Sequence, residues 1–189
     1  LEARADLSEY GLTYRTDPIP NFHAIARRHA GGRLIVPIYG GNTPNTEFEV
    51  LTGLSRVHPW PHDLSYAYRQ WITGKTPALP WVFRRWGYRT AVVSGATADF
   101  FAEKEAYPRL GFHEFRALGD RAGVATKFDL VSDEAVVDEV ISILRSAGRE
   151  AEAGTTRRRP CFLSITTDRS HAPYRPGPVP AAPRFRATG

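Results

Sequence analysis

RLIVPIYGGNTPNTEFEVLTG, residues 33–53, is the stretch on which the fold turns. Arg33–Tyr39 is a short apolar run rich in β-branched residues, which predicts a buried strand ended by Gly40 and Gly41. A glycine pair lets the backbone approach a ligand closely. Glu47–Leu51 then reads as helical. Thr43 therefore falls at or just before a helix N-terminus, where free N–H groups and the helix dipole favour an anion. A hydroxyl there is placed to attack phosphorus. The same residues also fit a plain helix start, with Thr43 or Asn45 as the cap and Glu47 nearby. The local pattern leaves both open. Thr46 is a competing hydroxyl at a less suitable distance from the glycine pair.

On either side, strand-like and helix-like segments alternate. Pro20–His29 predicts a helix with Phe22, Ile25 and Ala26 on one face and Pro near its start. Leu79–Trp86 predicts a short helix stopped at Gly87. Tyr88–Ser94 and Cys161–Thr166 predict two further strands. Asp99–Leu110 is expected to be helical in part, with Pro108 as its limit. Ser132 predicts an N-cap for a helix whose apolar stripe is Val136, Val137, Val140, Ile141 and Leu144, closed by Arg145 and Gly148. Such alternation implies an α/β fold with a mainly parallel sheet and helices on both faces. Functional loops then gather at the C-terminal strand ends. Two loops belong there on this reading, Gly40–Thr46 and Thr167–Tyr174. Residues 1–174 are expected to form one domain, and the Pro-, Ala- and Arg-rich 175–189 a poorly ordered tail.

Composition narrows the classes. Hydrophobic residues make up 42% and charged residues 24%, a globular balance rather than a disordered one. No apolar run reaches the roughly 18 residues that span a bilayer. The net charge of +5, its positive side almost all Arg, suits anionic partners but equally fits a plain Arg-, Ala-, Gly- and Pro-rich compositional bias, and the charge alone leaves both open. The arginines are scattered and no nucleic-acid module is present, so no nucleic-acid partner is expected. Cys161, the single cysteine, excludes an internal disulfide and a cysteine zinc cluster; within CFLSI it reads as a buried, inert thiol. The chain has no Met and opens on Leu1, which reads as a lost natural start.

GGNTPNTEFEVLTGLS resembles the nucleophile segment of the lipoteichoic acid synthase family, phosphoglycerol transferases of the alkaline phosphatase and sulfatase superfamily. DPIPNFHAIARRHAGGRLIVPIYGG resembles the helix and strand before it. WGYRTAVVSGATADFFAEKEAYPRLGFHEF, SDEAVVDEVISIL and PCFLSITTDRSHAPY resemble later blocks, in the same order. The resemblance implies a sulfatase-like fold, truncated, with Thr43 as catalytic nucleophile and metal ligand. It further implies Glu2 as a carboxylate ligand, where the family has "LES", and His171 of SHAPY as a substrate phosphate contact, where the family has "NHGPY". It implies a divalent cation, Mn²⁺ or Mg²⁺, and an anionic phospholipid donor such as phosphatidylglycerol. It also implies a glycolipid or polymer acceptor, and a parent protein at the cell membrane with its catalytic domain extracytoplasmic.

Three departures bear on substrate and activity. The family's "HGD" is Ser94-Gly95-Ala96 here, and its "FWNR" is Phe100-Phe101-Ala102-Glu103. The family's downstream Asp-His metal pair is not met before the chain ends, and Asp168 and His171 do not match it by position. The 189-residue chain alone is accordingly expected to bind metal poorly and to be inactive. Sulfatase-like ester hydrolysis is the alternative enzymatic reading, although Thr43 cannot mature to formylglycine and Cys161 lacks the motif. An inactive fragment binding anionic lipid or polymer is the non-enzymatic one.

Overall fold

The computed structural model describes residues 11–32, 35–36, 43–55, 67–121, 131–152, 159–167 and 187–188. In chain order its elements begin with β1 (Thr13–Tyr14), α1 (Pro20–Arg28), α2 (Thr43–Thr52), α3 (Ala67–Gln70), α4 (Leu79–Arg85) and β2 (Arg89–Ser94). After a 3-10 turn at Phe100–Ala102 come α5 (Glu103–Leu110), β3 (Glu114–Ala117), α6 (Leu118–Arg121), α7 (Asp133–Glu152), β4 (Cys161–Thr166) and β5 (Ala187–Thr188). They fall into two units, one holding α2 to α7 with β2, β3 and β4, the other holding β1, α1 and β5.

The alternation of small and branched apolar residues along RTAVVS builds the first unit. β2 is central in the order β3-β2-β4, and both neighbours run parallel to it. Ala91 lies opposite Glu114 on one side, and Arg89 opposite Cys161 on the other. Successive side chains of a strand face opposite ways. Ala91 and Val93 accordingly pack with Leu118, Val136 and Ile143 from α6 and α7. Val92 packs the other way, among Phe48, Leu51, Tyr68, Ala106, Tyr107 and Leu110 from α2, α3 and α5. All three β2 residues are fully buried, each valine contributing about 1.5–3 kcal/mol. Helices thus cover both faces of a parallel sheet, as the sequence implies. β3 was not foreseen: EFRA has too short a run to register a period.

Helix ends follow their chemistry, with corrections. Ser132 Oγ accepts the Ala135 N–H at 3.2 Å, the predicted N-cap of α7. The helix then runs through Gly148 to Glu152 rather than closing there. Its core face is also rotated from the expected stripe. Val136, Ile143 and Ala147 are buried with Val140 packed beside them, whereas Val137, Ile141 and Leu144 are exposed. Positions 136, 140, 143 and 147 share a face at 3.6 residues per turn; the full apolar set is wider than one face, and the sheet takes half of it. Pro108 lies inside α5, which continues to Leu110 and its C-cap Gly111. Cys161 is partly exposed rather than buried. The expected strand over Arg33–Tyr39 falls mostly outside the described residues; Ile35 and Val36, which are described, are in no strand.

In the second unit, Thr13–Tyr14 pairs antiparallel with Ala187–Thr188. α1 begins at Pro20, as the sequence predicts. The Asp17 carboxylate accepts the Ile19 N–H at 2.9 Å and contacts His23 Nδ1 at 2.8 Å. Phe22 and Ile25 are exposed, so the expected apolar face of α1 is not a buried one.

A chain of charges ties the sheet to α7. Arg89 meets Glu114 at 2.8 Å, Arg116 meets both Glu114 and Glu139, and Arg121 meets Glu139 at 2.9 Å. Burial pushes the Glu114 carboxyl up, but hydrogen bonds from Arg89 and Arg116 outweigh it and hold it below its ordinary value. Glu139 behaves alike, burial opposed by Arg116 and Arg121, with a net lowering. A depressed folded-state pKa gives stability that is whole above the unfolded carboxylate value, about 4.3, and is lost as pH falls through the lower folded value. Glu114→Gln should therefore destabilise the protein by about 1–2 kcal/mol at pH 7. In urea melts the two proteins should converge on acidification below the ordinary carboxylate range. A gap that persists unchanged at low pH would contradict the assignment.

Candidate active site

Thr43 is the first residue of α2, a ten-residue helix whose first turn carries no acidic side chain. Its side chain is half-buried. The positive end of this helix is thus not neutralised from within its own first turn, which suits an anion. Asn45 does not cap α2. It is 1% exposed, and its Oδ1 accepts the Ala67 N–H at 2.9 Å, which ties α2 to α3. Glu2 and His171, the other two expected site residues, lie outside the described residues, as does Asp168.

The C-terminal ends of the strands supply the neighbouring loops. Ser94 is fully buried, and its Oγ accepts the Ala96 N–H at 3.2 Å, shaping the turn where the family motif has "HGD". The Gly95 N–H donates to Thr166 O at 3.1 Å, which binds this turn to the end of β4. Gly119 N–H reaches Ala96 O at 3.1 Å. A Cβ on Gly119 would stand 2.7 Å from the Ala96 carbonyl carbon, so only glycine permits this approach. Thr167 is buried and leads straight into residues 168–171.

The segment matching "FWNR" is strained. Phe101 and Ala102 have φ of 53° and 62°, the only positive values on non-glycine residues among those described. Paired left-handed residues cost about 1–2 kcal/mol each. Glu103 follows at 4% exposure, at the start of α5.

Sequence reasoning did not find the polar cluster behind Thr43. Glu47 stands one helical turn after it and accepts from Tyr68 Oη at 2.5 Å and Tyr107 Oη at 3.2 Å. The two tyrosine rings meet edge to face, 5.6 Å between centroids. Burial pushes both phenols well above their ordinary value; for Tyr68 the Glu47 charge adds most after burial, and for Tyr107 it adds after Tyr68. Both therefore stay protonated donors throughout the physiological range. The available signal was the i, i+4 spacing of Thr43 and Glu47 in TPNTE. Among the described residues no three His, Cys, Asp or Glu stand together as a cation site. Thr43 is thus the one described member of the expected ligand pair.

The comparisons with known proteins bear on family and fold. The Sulfatase family model matches residues 2–189, and the chain belongs to that family. It is 30% identical over 158 residues to a Rhizobium meliloti protein named for cyclic beta-1,2-glucan modification, covering 84% of this chain and 22% of the relative. It is also 30% identical over 156 residues to the capsular polysaccharide biosynthesis protein RkpI of the same organism, covering 78% of this chain and 26% of the relative. The chain thus spans about a quarter of the length of these curated relatives. Among solved structures, the Streptococcus pyogenes phosphoglycerol transferase GacH, in complex with sn-glycerol-1-phosphate, superposes with a TM-score of 0.65 at 25% identity, over 91% of this chain and 43% of that one. The lipoteichoic acid synthase LtaP of Listeria monocytogenes shares the fold, with a TM-score of 0.56 at 20% identity, over 70% of this chain and 29% of that one. No helix among the described residues is long and apolar enough to cross a membrane.

Proposed function

We propose that this chain carries the nucleophile of a transferase that moves a phosphoglycerol-type group from a lipid phosphodiester to a saccharide hydroxyl. The observation that carries it is Thr43, a half-buried residue at the first position of α2, whose first turn lacks any acid, in a chain of the Sulfatase family. The likeness to a phosphoglycerol transferase supports the donor group. The names of the two Rhizobium relatives support a glycolipid or polymer acceptor, here a saccharide. An anionic phospholipid such as phosphatidylglycerol fits as donor.

In this mechanism Thr43 Oγ1 attacks phosphorus. The Thr43 O–P bond forms, the P–O bond to diacylglycerol breaks, and the leaving oxygen takes up a proton. An acceptor hydroxyl then attacks the phosphoryl-Thr43 intermediate and restores the free hydroxyl. The α2 N-terminus stabilises charge on the phosphoryl oxygens, with His171 as the second contact. Glu2 and Thr43 are the proposed ligands of Mn²⁺ or Mg²⁺, and such an ion, when bound, lowers the pKa of a coordinated hydroxyl.

Covalent trapping tests this directly. In a protein that carries this chain together with a full metal-ligand set, incubation with phosphatidylglycerol in the absence of acceptor, followed by peptide mass spectrometry, should find a phosphoglycerol adduct on the peptide containing Thr43. An adduct on Thr46 or on another peptide, with Thr43 unmodified, would overturn the assignment.

A further inference from the structure

We propose that Glu47 is a positioning residue for the Thr43 hydroxyl, held in place by the two buried tyrosine hydroxyls of α3 and α5. This rests on the reading of Thr43 as nucleophile. Residues four apart on a helix share a face, so fixing Glu47 fixes the azimuth of the turn that begins at Thr43. α2 is short, and packing through Phe48 and Leu51 holds its later half. Its first half also takes directional bonds. Glu47 takes Tyr68 Oη and Tyr107 Oη, and Asn45 takes the Ala67 N–H. These three directional bonds reach two separate helices.

The chemistry of the clamp suits positioning. A carboxylate accepting from two phenols makes charge-assisted hydrogen bonds, stronger than neutral ones. The tyrosines are themselves immobile: Tyr68 is 2% exposed and Tyr107 fully buried, and Tyr107 also packs edge to face on Phe112 and Phe115. Buried Pro44, Phe48 and Leu51 hold the helix by packing, and a carboxylate between two fixed hydroxyls adds directional bonds close to Thr43. Nucleophilic attack tolerates little misplacement, about 1 Å costing on the order of a hundredfold in rate.

The test uses Tyr68→Phe, Tyr107→Phe, the double variant, Glu47→Ala and Glu47→Gln, beside Thr43→Ala. Phenylalanine keeps the rings and removes only the donors, and thermal melts of each variant control for the stability lost with them. Two readouts are taken in a protein that carries this chain together with a full metal-ligand set: amide hydrogen exchange of the peptide spanning 43–48, and kcat and KM for diacylglycerol release from phosphatidylglycerol. Each single Phe variant should lower kcat about tenfold, and the double variant about a hundredfold, with KM within about twofold. Exchange should quicken in 43–48 and not in α7. Glu47→Ala should match the double variant, and Glu47→Gln, whose amide oxygen still accepts, should recover most of the rate. Normal kcat and exchange in the double variant, with Thr43→Ala inactive, would overturn this role alone. Turnover surviving in Thr43→Ala would overturn the nucleophile reading, and this role with it.

Discussion

In a protein that carries this chain together with a full metal-ligand set, Thr43→Ala is expected to lower group transfer by on the order of 10⁴-fold or more, the scale seen when a covalent nucleophile is removed. The methyl that remains cannot bond to phosphorus, and Thr46 lies almost a full turn further along α2. The fold should survive. A half-buried residue at a helix start contributes about 0.5–2 kcal/mol through capping. Thr43→Ser keeps the hydroxyl and should retain measurable turnover, losing the methyl that restricts χ1. The assay is diacylglycerol release from phosphatidylglycerol vesicles, with thermal melts of both variants as the control for folding. Unchanged turnover in Thr43→Ala would remove the nucleophile from this position.

Gly111→Ala is expected to be strongly destabilising to the first unit. Gly111 closes α5 with φ at 104°, a backbone that a residue with a Cβ rarely adopts. The space is closed as well: the new Cβ would stand 2.8 Å from the Trp81 ring. That ring has no easy retreat. Its Nε1 donates to Arg109 O at 3.1 Å, and Lys75 and Arg84 lie over it at 4.4 and 4.5 Å. Strain and overpacking together predict a loss of about 3 kcal/mol. Urea denaturation measures it. A shift in stability below about 0.5 kcal/mol, the scatter of ordinary surface changes, would mean that the turn relaxes freely.

Period and punctuation carried much of the fold. Tyr88–Ser94 and Cys161–Thr166 announced themselves as short segments rich in β-branched and apolar residues, and the structure pairs Arg89–Ser94 with Cys161–Thr166 residue by residue. Ser132 announced α7 through its hydroxyl. The width of α7's apolar surface was legible but its direction was not, because Val137, Ile141 and Leu144 are as hydrophobic as the residues the sheet selected. β3 was invisible because its identity depends on β2 lying beside it. The same division holds at the site. Thr43 was legible from a local pattern of glycines, a hydroxyl and a helix start. Its support was not, because Tyr68 and Tyr107 reach Glu47 from distant parts of the chain, and neither carries a local mark of that role.

The order β3-β2-β4 also bears on how the sheet is assembled in time. β2 is central, yet both partners follow it in the chain. β3 arrives after one short helix, whereas β4 must wait for the twenty-residue α7. Closing the longer loop costs more entropy and comes later. In the interval the valine-rich strand β2 has one partner and one bare edge, a template for any other strand that meets it. Refolding thus becomes a race between β4 of the same molecule and a strand of another, and protein concentration weights the outcome.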